Sequence, residues 1–281
     1  MTTIITDEVA EKLLATVKIP PRPAVIEEIN REKKKDEPDL RKIGQAISKD
    51  IALTAGMLKT ANSPFFGLRT KVETVQQAVI TLGLNNVIGI VTGLALKNAI
   101  EVKDPTLEGF WNSAENLANI SAYLTRLVSS VPKDLAYMYW LFHDSGIPFM
   151  LQKFPEYTQT LTIANKGPKL SFTRIEDEIH STNHATMGYL LAKSWSMPNS
   201  ICQAVLNHHD ISSLHSNEEL DLEVRGLIAI LRLAEFLCDT RLLRNDYDWC
   251  ESGPIVLEYL GISEDELNDI KEDVFQYKEE S

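Results

Sequence analysis

The apolar residues of this chain recur with the spacing of an α-helix along most of its length. In the segment ETVQQAVITLGL, apolar side chains occupy positions i, i+3, i+4 and i+7, and a glycine follows: Val75, Ala78, Val79, Leu82 and Gly83. This spacing places four side chains on one helical face, and a glycine after the last of them is typical of a helix C-cap. The pattern predicts an amphipathic helix that ends at Gly83.

The same spacing returns elsewhere in the chain. Three further apolar faces are Leu40, Ile43 and Ile47; Val87, Ile90, Val91 and Leu94; and Leu267, Ile270 and Val274. An Asn before the second face can act as an N-cap, and Ser263 with Glu266 forms a capping-box pattern before the third. No two alternating β-branched runs are joined by a tight turn. These observations predict an all-α fold.

Breaks in the helical pattern suggest how the chain is organised. The segment EVKDPTLEGF, residues 101–110, separates a helix-rich first half from a second half that holds all six histidines. A weaker break is the polar loop DISSLHSNEELD, residues 210–221. We predict an N-terminal helical lobe over residues 1–104, a second helical lobe over 105–215, and a C-terminal helical extension over 216–281.

Charge and composition exclude several classes of protein. The 281 residues include 28 Lys and Arg against 40 Asp and Glu, which gives a net charge of −12. Since nucleic-acid affinity rests mainly on cations that neutralise phosphates, we expect no nucleic-acid partner. The N-terminus lacks a secretory signal, and the apolar stretch VIGIVTGLALKNAI is too short to cross a bilayer. Three cysteines without a CxxC pattern fit a reduced compartment. We expect a cytoplasmic protein without membrane contact.

Three ordered segments of the first half carry a family resemblance. They read KIPPRPAVIEEI, IGQAISKDIALTAGMLKTANSPFFGL and VETVQQAVITLGLNNVIGIVTGLAL. Together they resemble the HDOD domain, an HD-related output domain of bacterial signalling proteins, over roughly residues 17–212. The family usually has Pro after the aspartate at Asp50, and here Ile51 takes that place. The resemblance implies a multi-helix fold in which an N-terminal helical lobe packs against a degenerate HD-like helical bundle.

The HDOD family is related to HD-type metal-dependent phosphohydrolases, in which His and Asp side chains converge on one or two metal ions. This relation implies a set of candidate metal ligands in this chain: His143, Asp144, His184, His208 and Glu235. His143 and Asp144 are the His-Asp pair of LFHDSGIP. In the relatives a histidine stands where this chain has Ser113, and a neutral hydroxyl is a poor replacement for an imidazole.

Three other histidines are interpreted separately. His209 follows His208 and completes a His-His pair that recurs in the relatives. His180 precedes His184 by four residues, a spacing that can place both on one helical face. Because Asn183 is a candidate N-cap, His180 would instead lie in the preceding loop. His180 and His215 are therefore interpreted as surface residues.

Two interpretations of the polar residues stay open. They can form a metal-free polar core held by hydrogen bonds, or they can hold a single divalent metal ion. In either case, the substitution at 113 and the scarcity of cations near the His-Asp pair, where only Lys153 occurs, favour a protein without catalysis.

The resemblance therefore implies a non-catalytic signal-transduction or regulatory module that acts through protein–protein contacts. Because few residues precede 17 or follow 216, we expect its signalling partners to act in trans. The alternative is an enzyme, a metal-dependent phosphohydrolase or phosphodiesterase acting on a nucleotide.

Overall fold

Helices account for all the regular secondary structure in the part of the chain that the structure describes. This computed structural model describes residues 19–63, 66, 68–99, 117, 120, 124–125, 131–166, 172–216, 220–239 and 247–280. These ranges contain no strand. The predicted all-α fold is confirmed.

Five helices lie in the described residues between 19 and 99. They are α1 (Ala24–Lys33), α2 (Leu40–Ser48), α3 (Ile51–Ala61), α4 (Val75–Leu82) and α5 (Leu84–Ala99). The carboxylate of Asp50 caps α3, because it accepts a hydrogen bond from the backbone N–H of Leu53 at 3.0 Å. Helix α1 packs on α2, α2 on α4, and α3 on α5. These contacts make the five helices one packed unit.

Ten further helices lie in the described ranges after residue 130. They are α6 (Lys133–Phe142), α7 (Gly146–Lys153), α8 (Tyr157–Ala164), α9 (Phe172–His180), α10 (His184–Ser194), α11 (Asn199–Asn207), α12 (Ser213–Ser216), α13 (Leu222–Asp239), α14 (Tyr247–Leu260) and α15 (Glu264–Glu280). Helix α10 packs against α7 and α11, and α13 packs against α11 and α14. Within the described ranges, no helix combines the length and apolar character that a bilayer crossing requires.

The predicted helical faces are buried. Val75 and Val79 lie in the core, and Gly83 follows α4 with a φ of 80°, a left-handed conformation that favours glycine. The capping box at the start of α15 is present as well. The backbone N–H of Ser263 donates to the carboxylate of Glu266 at 2.8 Å, and the N–H of Glu266 donates back to the Ser263 hydroxyl at 3.3 Å.

The predicted start of α5 is wrong. The helix begins at Leu84, directly after Gly83, so both asparagines of NNVIGIV lie inside its first turn. The side chain of Asn86 donates to the carbonyl oxygen of Leu82 at 2.8 Å. Asn86 therefore satisfies a carbonyl of the preceding helix instead of capping its own.

One apolar core contains residues from all three predicted segments of the chain. Ile26 and Ile47 of the first segment, Trp140 and Trp195 of the second, and Val274 of the third belong to the same buried cluster. All three segments therefore contribute side chains to the same hydrophobic core. The predicted boundaries at 104/105 and 215/216 stay predictions, and residue 104 lies outside the described residues.

Two hydrogen bonds attach the segment before α1 to the second half of the chain. The indole Nε1 of Trp195 donates to the carbonyl oxygen of Pro20 at 3.0 Å, and Arg22 Nη1 donates to the carbonyl oxygen of Trp195 at 3.2 Å. Helix α5 also packs along α6. The N-terminal helices are thus connected directly to the helix that leads into the His-Asp pair.

The start of α7 approaches α10 so closely that only glycine fits at position 146. A Cβ atom on Gly146 would overlap the carbonyl oxygen of His184 and would lie 2.8 Å from the backbone nitrogen of Gly188. Cβ atoms do not come this close to backbone atoms in real proteins. Because of this approach, the turn formed by His143 and Asp144 lies against the start of α10.

Gly146→Ala is expected to lower the free energy of unfolding by about 1–3 kcal/mol, since α7 and α10 must move apart to accept the methyl group. Urea unfolding followed by circular dichroism measures the change. Gly56→Ala is the matched control, because its Cβ would meet the flexible end of the Leu94 side chain instead of backbone. Equal destabilisation by the two substitutions would contradict the interpretation.

Candidate metal centre

Residues at three helix ends form one buried polar cluster. His143 and Asp144 follow α6, His184 is the first residue of α10, and His208 and His209 follow α11. Helix ends leave backbone groups without intrahelical partners, so polar residues are favoured there. The packing of α10 against α7 and α11, and of α11 against α6, brings the three ends together.

Four of these residues place a metal-ligating atom within 4.8 Å of one another: Asp144, His184, His208 and His209. The Nε2 atom of His184 lies 3.0 Å from Nε2 of His209, 3.2 Å from Nε2 of His208 and 3.4 Å from Oδ1 of Asp144. The distance from His208 Nε2 to the same Asp144 oxygen is 3.4 Å. The four atoms surround one small volume.

Hydrogen bonds on the far side of two rings determine which nitrogen faces that volume. Nδ1 of His208 lies 2.7 Å from the carbonyl oxygen of Val205, and Nδ1 of His184 lies 2.6 Å from Oε2 of Glu176. A carbonyl or ionised carboxylate oxygen only accepts, so both Nδ1 atoms carry the hydrogen. In the neutral rings, each Nε2 therefore presents a lone pair to the cluster.

Lone pairs at these distances repel one another unless a positive charge lies among them. Burial lowers the pKa of His184, but the charge of Glu176 and the hydrogen bonds with Asp144 and Glu176 outweigh it and raise that pKa to about 10. Without a metal ion, a proton on His184 Nε2 supplies the charge. A divalent ion can take the place of that proton, since metal ligands must be deprotonated.

The donor set fits a first-row divalent metal ion. Bonds of 2.0–2.2 Å to an ion separate neighbouring ligand atoms by about 3–3.6 Å, and the shortest distances in the cluster lie in that range. Burial is the main cause that lowers the pKa of both His208 and His209, which keeps these rings neutral. Three neutral imidazoles and one carboxylate suit zinc, iron or nickel.

Asp144 is ionised in this setting. Burial alone would raise the pKa of its carboxyl group, but the charge of His143, the hydrogen bond from His143 and the close approach of His184 and His208 hold that pKa well below its usual range. One oxygen of the carboxylate faces His184 and His208, and the other faces His143. Asp144 therefore contributes a full negative charge at the centre of the cluster.

His143 contacts the outer oxygen of Asp144. Its Nε2 lies 3.1 Å from Asp144 Oδ2, and its Nδ1 donates to the carbonyl oxygen of Trp140 at 2.8 Å. Burial lowers the pKa of His143, but the charge of Asp144 and the hydrogen bond with it outweigh burial, so the pKa is raised. A protonated His143 orients Asp144. That His143 ligates a metal itself stays a prediction.

Glu176 adjoins the cluster and was not among the residues that the sequence predicts for it. Its side chain is fully buried, and it accepts hydrogen bonds from the Tyr157 hydroxyl and from both the backbone N–H and Nδ1 of His184. A carboxylate behind a histidine fixes the orientation of the ring and makes it a stronger metal ligand. The available signal was its position four residues after buried Phe172, on the inner face of α9.

The comparisons with known proteins agree with the fold. The model of the HDOD domain family matches residues 19–211. The chain belongs to the HDOD family.

Solved structures similar to this HDOD protein cover nearly its whole length. An HDOD domain protein of unknown function from Geobacter sulfurreducens is 22% identical, with a TM-score of 0.70 over 96% of this chain and 94% of that one. A "Putative phosphohydrolase" from Shewanella amazonensis SB2B is 20% identical, with a TM-score of 0.72 over 95% and 93%. A "Putative signal transduction protein" from Marinobacter aquaeolei VT8 is 20% identical, with a TM-score of 0.63 over 98% and 61%. At these identities the likeness establishes the fold.

Two relatives at the level of sequence are longer than this chain. An uncharacterized protein of Treponema pallidum (strain Nichols) is 24% identical over 203 residues, which are 72% of this chain and 39% of that protein. The uncharacterized protein YuxH of Bacillus subtilis (strain 168) is 33% identical over 60 residues, which are 21% of this chain and 15% of that protein. The chain therefore matches well under half the length of each relative.

The converging set differs from the predicted ligands at Glu235 and His209. Glu235, on α13, accepts a hydrogen bond from Arg232 Nη1 at 2.9 Å and is not one of the four residues whose ligand atoms converge. Its role as a ligand stays a prediction. His209, which the predicted ligand set left out, is one of the four. Ser113 lies outside the described residues.

His180 is not the surface loop residue that the sequence suggested. Asn183 does cap α10, as expected, because its side chain accepts from the backbone N–H of Thr186 at 2.8 Å. His180, however, is the last residue of α9 and is half-buried. Its Nε2 lies 2.8 Å from the Thr160 hydroxyl, and its ring centre lies 4.4 Å from that of Phe154. His215 is exposed, as expected.

Glu176→Gln is expected to weaken the binding of Zn²⁺ or Mn²⁺ by about 10- to 100-fold, because the neutral amide no longer strengthens His184 as a ligand. Isothermal titration calorimetry of the metal-stripped protein measures the affinity. Glu178→Gln is the matched control, since it removes the same charge from the exposed side of α9. Unchanged affinity in Glu176→Gln would show that the carboxylate does not support a metal site.

Proposed function

We propose that this HDOD protein is a non-catalytic regulatory module that acts through contacts with signalling proteins in trans and holds one divalent metal ion as a structural element. The observation that supports the ion is the convergence of four ligand atoms, from Asp144, His184, His208 and His209, within 4.8 Å of one another. The shortest separations among these atoms, 3.0 to 3.4 Å around His184 Nε2, match neighbouring ligands of a single coordination sphere. The ion would join the ends of α6, α10 and α11.

The surroundings of the imidazoles support a structural role for that ion. His184 and His208 are each 1% exposed, and their Nδ1 atoms are engaged by Glu176 and Val205. Structural sites complete the coordination sphere with protein ligands, whereas catalytic sites keep one position open for water. Four protein donors suffice for a complete tetrahedral sphere.

Phosphate-ester hydrolysis requires more than a bound ion. A metal ion lowers the pKa of a bound water and polarises phosphoryl oxygens, and further cations must hold the phosphate. The charge of Arg232, whose helix packs against α6 and α11, is compensated by Glu235 at 2.9 Å. By the family resemblance, Ser113 stands where the relatives have a histidine, and a hydroxyl cannot supply an imidazole. Both features favour regulation over hydrolysis.

A metal-dependent phosphohydrolase or phosphodiesterase acting on a nucleotide is the second candidate function. The side chain of Asp144 is 28% exposed to solvent, so water and a small substrate have a route toward an ion bound to it. The Shewanella protein is named a "Putative phosphohydrolase". This exposure is the one feature of the cluster that favours an enzyme.

Several features support a protein partner. The Marinobacter protein is named for signal transduction. Two large apolar side chains of the N-terminal helices, Ile51 at 86% and Ile80 at 67% exposure, offer apolar contact area. The net charge of −12 disfavours a nucleic-acid partner. A cytoplasmic location without membrane contact is part of the same proposal.

The wild-type protein is expected to contain one metal ion per chain and to hydrolyse no phosphomonoester, phosphodiester or nucleotide above background with added manganese, nickel or iron. Elemental analysis and colorimetric turnover assays provide the two measurements. Asp144→Asn is expected to lose the ion, because the central negative charge is gone, whereas Asp269→Asn on exposed α15 keeps it. Turnover that disappears in Asp144→Asn would establish the enzyme instead.

Affinity capture from lysate of the native organism is expected to recover a signalling protein that binds the purified HDOD protein directly. The captured protein is then produced alone and titrated against the folded chain, with the heat-unfolded chain as control. Failure to recover any direct binder under several stress conditions would contradict the regulatory proposal while leaving the metal site intact.

A further inference from the structure

A short segment before α1 lies on the surface of the second half of the chain. Residues 19–23, here called the strap, read IPPRP and lead directly into α1. Pro21 is exposed, and the other four residues are half-buried. In the described part of the chain, residues 19–22 make no backbone–backbone hydrogen bond. The strap is therefore held at this surface by contacts that involve side chains.

The surface beneath the strap is formed by residues of the second half. Trp195, at the end of α10, is 1% exposed, and its ring meets the ring of Phe142 edge to face with centres 6.2 Å apart. Ile19 of the strap packs, together with Met197, against a small apolar cluster that includes buried Cys202. Because the receiving side chains pack against one another, their surface can persist when the strap leaves.

Two hydrogen bonds join the strap to this surface. The indole Nε1 of Trp195 donates to the carbonyl oxygen of Pro20 at 3.0 Å, and Arg22 Nη1 donates to the carbonyl oxygen of Trp195 at 3.2 Å. The backbone N–H of Met197 donates to the carbonyl oxygen of Ala192 at 3.0 Å and closes the end of α10. A helix C-terminus also favours a cation. A ligand of this surface therefore needs a carbonyl oxygen and, two residues later, a positive charge.

Proline orders the strap before it binds. Pro23 has a φ of −58° and a ψ of 142°, close to the polyproline II conformation. Ile19, Pro20 and Arg22 each precede a proline, which restricts their backbones to extended conformations. An extended segment of this kind loses little conformational entropy on binding, and aromatic-lined surfaces commonly recognise it. The strap thus has the chemistry of a peptide ligand.

The strap leaves one polar group unsatisfied. Arg22 Nε is buried and has no hydrogen-bond partner among the described residues, while Nη2 lies 3.6 Å from the Glu27 carboxylate. A buried donor without a partner weakens the contact that contains it. A segment that satisfies this donor would therefore compete well with the strap.

We propose that the end of α10 and the start of α11 form a binding site for an extended segment in which an arginine follows a proline by two residues. The strap fills this site in cis, and a segment of the same chemistry on a signalling protein replaces it. The site lies about 16 Å along α10 from His184. The proposal deepens the proposed function by naming the chemistry of the partner, and it rests on the claim that the protein acts through contacts in trans.

A fluorescent peptide IPPRPAV, which copies residues 19–25, tests the site in the full-length protein. Arg22→Gln weakens the strap and leaves the surface intact. It is expected to bind the peptide at least about 10-fold more tightly than the wild type, because the tethered strap competes at an effective concentration on the order of mM. Fluorescence anisotropy measures the affinities. Arg31→Gln, at an exposed position of α1, is the matched control and is expected to bind like the wild type.

Two further changes test the two hydrogen bonds. Adding Trp195→Phe to Arg22→Gln removes the indole donor, keeps an aromatic ring, and is expected to abolish the gain in affinity. The peptide IPPQPAV is expected to bind Arg22→Gln at least about 10-fold more weakly than IPPRPAV, since it lacks the charged donor. Thermal melting confirms that each variant is folded.

Hydrogen exchange of the Trp195 indole N–H in the wild type tests the same contact without any substitution. If the strap opens locally, this N–H is expected to exchange at least about 100-fold faster than the backbone N–H of Leu190 inside α10. Two-dimensional NMR measures both rates. Equal protection would show that the strap leaves only when the whole protein unfolds, and would overturn the proposal.

Failure of the peptide to bind Arg22→Gln, or equal affinity with and without Trp195→Phe, would contradict the proposal. If lysate capture then still recovers a direct binder, this inference alone is wrong. If neither the peptide nor a lysate protein binds, the proposed regulation fails as well. A wild-type dimer in light scattering that Trp195→Phe abolishes would show that the strap of a second copy occupies the site, and would overturn the proposal of a separate partner.

Discussion

The approach of the α7 backbone to the start of α10 is the constraint on which the rest of the centre depends. Gly146 follows Asp144 by two residues, and its missing side chain lets the turn lie directly against the His184 carbonyl. The Asp144 carboxylate then reaches within 3.4 Å of Nε2 on both His184 and His208. A distance set by backbone contact is held far more rigidly than one set by flexible side chains, since packed interiors resist small displacements.

Once these groups are packed together, electrostatics requires a positive charge among them. The same position beside His184 Nε2 is suited to a proton or to a metal ion. Under the proposed function, the metal-free polar core and the single-ion site, which the sequence leaves as alternatives, would be two states of one cluster. Glu176 would favour both, because its charge stabilises a protonated His184 and would also strengthen the neutral ring as a ligand.

The sequence predicts the helices and most of the cluster, and its failures have physical causes. His143, Asp144, His184 and His208 were found because a family resemblance fixes their order along the chain. Glu176 was missed because a glutamate on an amphipathic helix usually faces solvent, and only the packing of α9 shows that this one is buried. The interaction of Glu235 with Arg232 also depends on packing, since a pair three residues apart is equally common on exposed helices.

The position of the cluster gives an ion a route to influence the rest of the molecule. Its candidate ligands lie at the ends of α6, α10 and α11, so a bound ion stabilises the arrangement in which these three ends meet. Helix α6 also packs along α5 of the N-terminal helices. A ligand shifts a conformational equilibrium only by binding one conformation more tightly than the other. Binding or loss of the ion could therefore alter a docking surface on the N-terminal helices only if the ion-bound and ion-free proteins differ in how α5 and α6 pack. Since α5 and α6 contribute Val91 and Trp140 to one continuous core, such a difference would have to involve the core itself. Under the proposed function, the ion would therefore act on partners through the packing of α5 against α6.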